Sequence, residues 1–182
     1  VKEATAPVLA EALLKRLGRY DVPLRELEHT SYTFDLVMDQ GAYAEFKRHR
    51  MMSQTPQLQT AALGYATPRR LALAGLQDDF RRAMEAARET WRQLNDFNPQ
   101  VAQYVVPNAF NRRVLATFNL REAFHFCQLR AAANAHFSIR RVAERVAEIL
   151  GLKVSFKSAD WETIPTSLKQ GRVDASIGSM AR

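Results

Sequence analysis

A single cysteine, Cys127, stands in 182 residues, so no internal disulfide can form. A lone thiol excludes the small stapled folds of secreted chains and fits a reducing cytoplasm. No apolar run approaches the length of a membrane span, and no signal peptide is visible. The first residue is Val rather than Met, which reads as a fragment or a processed chain. The four histidines show no ligand spacing with each other or with Cys127, which argues against metal chemistry. Internal repeats and low-complexity tracts are missing too.

What is present is the composition of one globular domain. Hydrophobic residues make up 47% and charged residues 25%, and the length suffices to bury a sizeable core. The net charge of +7 points to anionic partners: nucleotides, nucleic acid or acidic lipid. Nucleic acid has one feature in its favour, the Arg-rich stretch at 139–145. Against it, aromatics are not interleaved with the basic residues as stacking platforms, and no helix-turn-helix or zinc spacing occurs.

Periodicity sketches the elements. Residues 7–18 carry a leucine stripe and end at Gly18, as a helix would. Residues 20–28 read as a loop. Tyr32, Phe34, Leu36 and Met38 alternate with polar neighbours, which predicts a half-buried strand over 30–38. Asp39-Gln40-Gly41 reads as a turn, and 42–52 as a helix that buries Tyr43 and Phe46. Residues 53–75 are irregular. The apolar spacing over 76–97 predicts a long helix, stopped at Asn98-Pro99. A short helix at 101–106, a strand at 114–118 and a helical pair at 120–130 and 135–150 follow, the second capped by Gly151. Residues 153–157 and 171–175 suggest strands in a tail. Residues 152–180 resemble a stretch of periplasmic solute-binding proteins, too short to form such a domain. Residues 151–182 are therefore set apart as a short α/β tail of uncertain origin.

One local cluster carries chemistry. Arg48, His49 and Arg50 are adjacent. Guanidinium groups present planar forks of donors that match phosphate or carboxylate. The bland alternative is a solvated basic helix face.

The wider pattern favours the chemistry. Glu28-His29-Thr30-Ser31-Tyr32-Thr33-Phe34 leads to the triplet, and Asn119-Leu120-Arg121, Leu129-Arg130 and Ala135-His136 follow with Ile139. In order and spacing this resembles the flavin-dependent thymidylate synthase family over residues 20–150. The resemblance implies an α+β fold, a small and mainly antiparallel sheet packed by long helices, with the helices at 76–97 and 135–150 forming most of the core. It implies transfer of a one-carbon unit from methylenetetrahydrofolate to dUMP, giving dTMP, with FAD as hydride carrier and NADPH as reductant. It implies a cytoplasmic enzyme, assembled as a homo-oligomer or with a second synthase-like domain.

By the same resemblance, His29, Ser31, Arg48, His49, Arg50, Asn119, Arg121 and His125 are cofactor contacts. Arg48 and Arg130 are substrate contacts, and Arg130 polarises the pyrimidine. Each also has a plain structural role available. His29 could satisfy a backbone group. Asn119 and Arg121 could cap a helix and pair with Glu122 or Asp96. Arg130 could lie on a solvated face. No cysteine nucleophile is implied, and Cys127 reads as a buried, inert thiol.

The sequence departs from the family pattern where the nucleotide phosphate is held. An acidic residue, a Ser and an Arg expected after the triplet are Pro56, Leu58 and Thr60. An expected Arg is Gln103, and a Gln and a Glu are His136 and Ser138. A histidine expected near Asn134 is absent. Arg112, Arg113, Arg69 and Arg70 are the cations within reach as substitutes. Two readings follow: a working synthase, or a non-catalytic repeat of the same fold that supports an active partner. Both require the cationic cluster centred on residue 49 and the guanidinium of Arg130 to converge on a shared cofactor pocket.

Overall fold

The computed structural model describes residues 21–151. The helix expected at 7–18 and the tail lie outside these residues. The fold is α+β, built on a three-stranded antiparallel sheet. Its strands are β1 (Ser31–Asp39), β2 (Ser53–Pro56) and β3 (Asn111–Asn119), and β3 lies in the middle. Ser31 pairs with Asn119 and Asp39 with Asn111.

Alternation along β1 and β3 sorts the two faces as expected. Phe34, Met38, Val114, Ala116 and Phe118 point into the core. Thr33 and Thr117 join hydroxyls at 2.9 Å on the outer face. Beside them the Arg113 Nε donates to both Asp35 carboxylate oxygens at 2.8 and 3.0 Å.

Helix α1 (Gln40–Phe46) corrects two expectations. No separate turn intervenes at 39–41, because Asp39 ends the strand and caps the helix. Its Oδ1 accepts from the Ala42 N–H at 2.8 Å, satisfying one of the orphan donors of a first turn. Gly41 keeps that oxygen clear, since a Cβ there would stand 3.0 Å from it. Asp39→Ala is expected to cost about 1 kcal/mol in urea unfolding, and Asp39→Asn much less.

The helix also ends at Phe46, six residues before the expected 52. The Arg48 N–H reaches Glu45 O and the His49 N–H reaches Phe46 O, a tightening into turns. The Gln54 amide then donates to His49 O at 2.9 Å and fixes the bend. Pairing of β2 with β3 forces this reversal.

The remaining helices are α2 (Arg69–Leu73), α3 (Gln77–Phe97), α4 (Pro99–Ala102), α5 (Leu120–Arg130) and α6 (Phe137–Ile149). Short 3-10 turns cover Arg25–His29 and Gln103–Val105. Gly151 has φ +64°, the left-handed conformation of a helix-ending glycine.

The main core lies between the inner sheet face and α1, α5 and α6. Helix α6 contributes Ile139, Ala143, Val146 and Ala147, as expected. Helix α3 does not. It buries only Met84, in a separate small cluster with Ala61 and Phe110. Phe97 at its end is 81% exposed. An apolar stripe shows that a helix has a face to bury, not which surface covers it.

Candidate functional site

The bend after α1 separates the triplet by side-chain direction. Arg48 and Arg50 face solvent, with no partner among the described residues. His49 turns inward and is buried against α5. Its ring meets Phe126 edge-on at 5.1 Å and lies 5.6 Å from the ring of His125.

Both ring nitrogens of His49 are engaged. Nδ1 lies 3.0 Å from a carboxylate oxygen of Glu122, itself buried. Nε2 accepts from the Nε–H of Arg130 at 3.1 Å. The Nη1 of Arg130 donates to the Glu45 carboxylate at 2.6 Å. Residue 49 and Arg130 therefore meet, in a chain running Glu122, His49, Arg130, Glu45. Arg130 is not on a solvated face, as its side chain is only 15% exposed.

Helix geometry explains the assembly. Glu122, Phe126 and Arg130 recur every four residues along one side of α5, and His49 docks on that row. Sequence reasoning missed both carboxylates. Glu122 stands three residues after the cap Asn119, where a Glu normally signals a capping box. Glu45 looks like a local helix partner. Their true contacts span 73 and 85 residues of chain.

The other four candidates gather at the opposite end of α5. The helix from Asn119 to Arg130 spans roughly 16 Å. Ser31 pairs with Asn119 across the sheet, beside His29. Asn119 accepts from the Glu122 N–H at 2.8 Å, so capping is its visible role. Arg121 donates to Pro23 O at 2.8 Å and to Glu28 at 2.7 Å, rather than to Glu122 or Asp96. The arginines beside Glu28 hold its carboxyl below the usual carboxylate range, Arg25 first and then Arg121.

Comparison with known proteins places this geometry. A family model described as "Thymidylate synthase complementing protein" matches residues 2–154. The chain belongs to this family. A UPF0159 protein of Chlamydia muridarum is 36% identical over 152 residues, 83% of this chain and 29% of that protein. Another, from Thermoplasma acidophilum, is 32% identical over 124 residues, 67% of this chain and 25% of that protein. The flavin-dependent thymidylate synthase of Geobacter sulfurreducens is 31% identical over 134 residues, 68% of this chain and 58% of that protein. The chain thus spans under a third of the UPF0159 relatives and just over half of this synthase.

Where the chain departs from the family pattern, the structure shows what the substituted residues do. Pro56 ends β2, and Leu58 is half-exposed. The Thr60 hydroxyl accepts from the Ala62 N–H at 2.9 Å. Gln103 accepts from the Gln59 N–H at 3.1 Å, tying that segment down without charge. Two of the four substitute cations are already engaged. Arg112 is buried over the Tyr43 ring and donates to Gln40 and to Gln57 O. Arg113 holds Asp35. Arg69 and Arg70 are exposed on α2. Among the described residues no helix is long and apolar enough to cross a membrane.

Cys127 is buried as expected, its thiol 3.5 Å from Ala143 O. Burial pushes the thiol up to about 12 from 9.0. The folded chain therefore holds that proton more tightly than the unfolded chain. Any stability this contributes is complete below about pH 9 and is lost as pH rises toward about 12. Cys127→Ala should make the alkaline arm of the stability–pH curve shallower, as read by denaturant midpoints across that window.

Proposed function

We propose that this chain carries a flavin-dependent thymidylate synthase-type site, methylating dUMP to dTMP with methylenetetrahydrofolate and NADPH. One observation carries the reading: the Arg130 guanidinium is fixed by His49 and Glu45 while its Nη2 keeps no internal partner among the described residues. A fixed donor edge of this kind suits a pyrimidine on which negative charge develops, because its orientation costs nothing at the moment of reaction. Glu45 offsets the arginine's charge, so Arg130 acts as an aimed donor more than as a counter-ion for phosphate.

Two exposed guanidiniums without partners among the described residues, Arg48 and Arg50, fit the pyrophosphate of a dinucleotide such as FAD. Bound flavin would supply hydride transfer. His29, Ser31 and His125 are exposed and available to line its surroundings. Asn119 and Arg121, already engaged, would hold the scaffold rather than the cofactor. The uncharged Pro56, Leu58 and Thr60 leave the nucleotide phosphate to Arg69, Arg70 or a second copy or domain. A cytoplasmic, oligomeric synthase follows from the same reading.

The second reading is a repeat of this fold that supports an active partner. The lost phosphate contacts favour it, and so does the small share of the UPF0159 relatives that the chain covers. A single series of measurements separates the two. Purified protein is titrated with FAD, then dUMP, then supplied with NADPH and methylenetetrahydrofolate. The synthase reading expects flavin binding, a dUMP-induced change in flavin absorbance, and dTMP. Flavin binding absent or blind to dUMP, with stable capture of a complete synthase domain, would select the supporting repeat.

A further inference from the structure

Glu122 is a buried carboxylate at a position where charge is expensive. It is only 7% exposed and flanked by Ala123, Phe126 and Cys127, all in the core. Its backbone N–H, not its carboxylate, completes the helix cap. A leucine there would avoid burying a carboxylate but would leave the Nδ1–H of His49 without an acceptor. Among the described residues its carboxylate has one partner, the Nδ1 of His49.

That contact and the one to Arg130 together determine which nitrogen of His49 bears the proton. The Nε–H of arginine can only donate, so the Nε2 of His49 must present its lone pair to Arg130. The ring proton then sits on Nδ1 and points at Glu122. Free imidazole is under no such constraint. Without the carboxylate, only Arg130 still favours the proton on Nδ1, and a proton on Nε2 would confront Arg130 donor to donor.

We propose that Glu122 is a positioning residue for Arg130, acting through the tautomer of His49. The pair plays the part that carboxylates play behind metal-bound histidines, with a guanidinium where the metal would be. Fixing Nδ1–H leaves Nε2 free to hold the Arg130 Nε–H, while Glu45 holds Nη1. Together these two acceptors set the guanidinium plane and leave Nη2 without a partner among the described residues. The inference rests on the synthase-type reading for its consequence in substrate binding, but not for the tautomer itself.

The test begins on the unmodified chain labelled with nitrogen-15. Long-range nitrogen–proton correlations of His49, assigned by loss in His49→Gln, report which ring nitrogen bears the proton. A proton on Nε2 overturns the proposal outright, whatever any variant does. With the proton on Nδ1, Glu122→Leu is expected to shift it toward Nε2. The Arg130 Nε–H should then exchange about tenfold faster, the loss of one ordinary hydrogen bond. Glu122→Gln, whose amide oxygen still accepts, should restore the Nδ1–H form. It serves as the folded control should the leucine variant be unstable, and a proton on Nε2 in this variant would count against the proposal. An unchanged tautomer and unchanged exchange in Glu122→Leu would overturn it.

The functional arm uses flavin absorbance. dUMP affinity should fall about tenfold in Glu122→Leu while FAD affinity is unchanged, the signature of a positioning loss rather than of unfolding. Should the unmodified chain ignore dUMP while the tautomer behaves as described, the synthase reading fails and the positioning role stands.

Discussion

Phe126→Ala lowers the unfolding free energy by about 3–5 kcal/mol, the range for deleting a buried aromatic ring. The side chain is fully buried in the main core. It meets Phe46 edge-on at 5.3 Å, His49 edge-on at 5.1 Å and Phe118 at 6.4 Å. It thereby binds α1, the 47–52 bend, β3 and α5 at one point. Neighbours drawn from three other elements cannot close the space by moving a single side chain, so much of the cavity remains. Phe126→Leu keeps most of the volume and should cost less than about 1.5 kcal/mol. Urea unfolding measures both. A loss below about 1 kcal/mol for the alanine variant would mean that the core is not organised around this ring.

On the proposed synthase reading, Arg130→Lys should lower dTMP formation by about 10²–10³-fold, the usual effect of removing one preorganised donor. An ammonium is a compact point charge, whereas the guanidinium bridges His49 and Glu45 and still keeps Nη2 unpartnered among the described residues. A lysine that reaches Glu45 gives up His49 and the outward edge together. FAD binding should be unaffected, because the proposed pyrophosphate contacts are Arg48 and Arg50. Stability should change by less than the about 3–5 kcal/mol seen when a fully buried pair loses a member. The Glu45 side chain is 25% exposed and gains water as it loses its partner. Steady-state kinetics beside a flavin titration would decide the matter. Wild-type turnover in the lysine variant would remove Arg130 from the chemistry and with it the synthase reading.

Much of the scaffold was legible from local pattern. Strand β1 reads off the sequence because its period-two alternation uses large apolar residues, which leave no choice of face. Helix α6 reads similarly, since Ile139, Ala143, Val146 and Ala147 form one stripe that is in fact covered. Helix α3 shows the limit of that logic. Its stripe is at least as regular, yet it packs on a minor cluster while the sheet takes α1, α5 and α6 instead. The early end of α1 was invisible for a related reason. Nothing between Phe46 and Met52 breaks a helix locally, and the break comes from the pairing of β2 with a strand 60 residues on.

The site divides along the same line. That the cluster around residue 49 lies near Arg130 was expected from the family pattern, but the direct bond between His49 and Arg130 was not. That Arg48 and Arg50 part company with His49 could not be expected, because it depends on where the helix stops. Glu45 and Glu122 were hidden by plausible local roles, a helix neighbour and half of a capping box. Buried partners of opposite charge announce themselves only when distant segments are brought together.

Strand order also governs how the protein must be made. Among the described residues the two flanking strands pair only with the central one, and the central strand is the last of the three to leave the ribosome. A nascent chain that stops short of residue 111 carries two sticky ribbons and no sheet to receive them. Loop closure over the 72 to 88 positions separating the partners of the longer pairing must then precede any reward from it. The emerging chain therefore spends that interval dependent on its helices, or on a neighbour, to keep those ribbons apart.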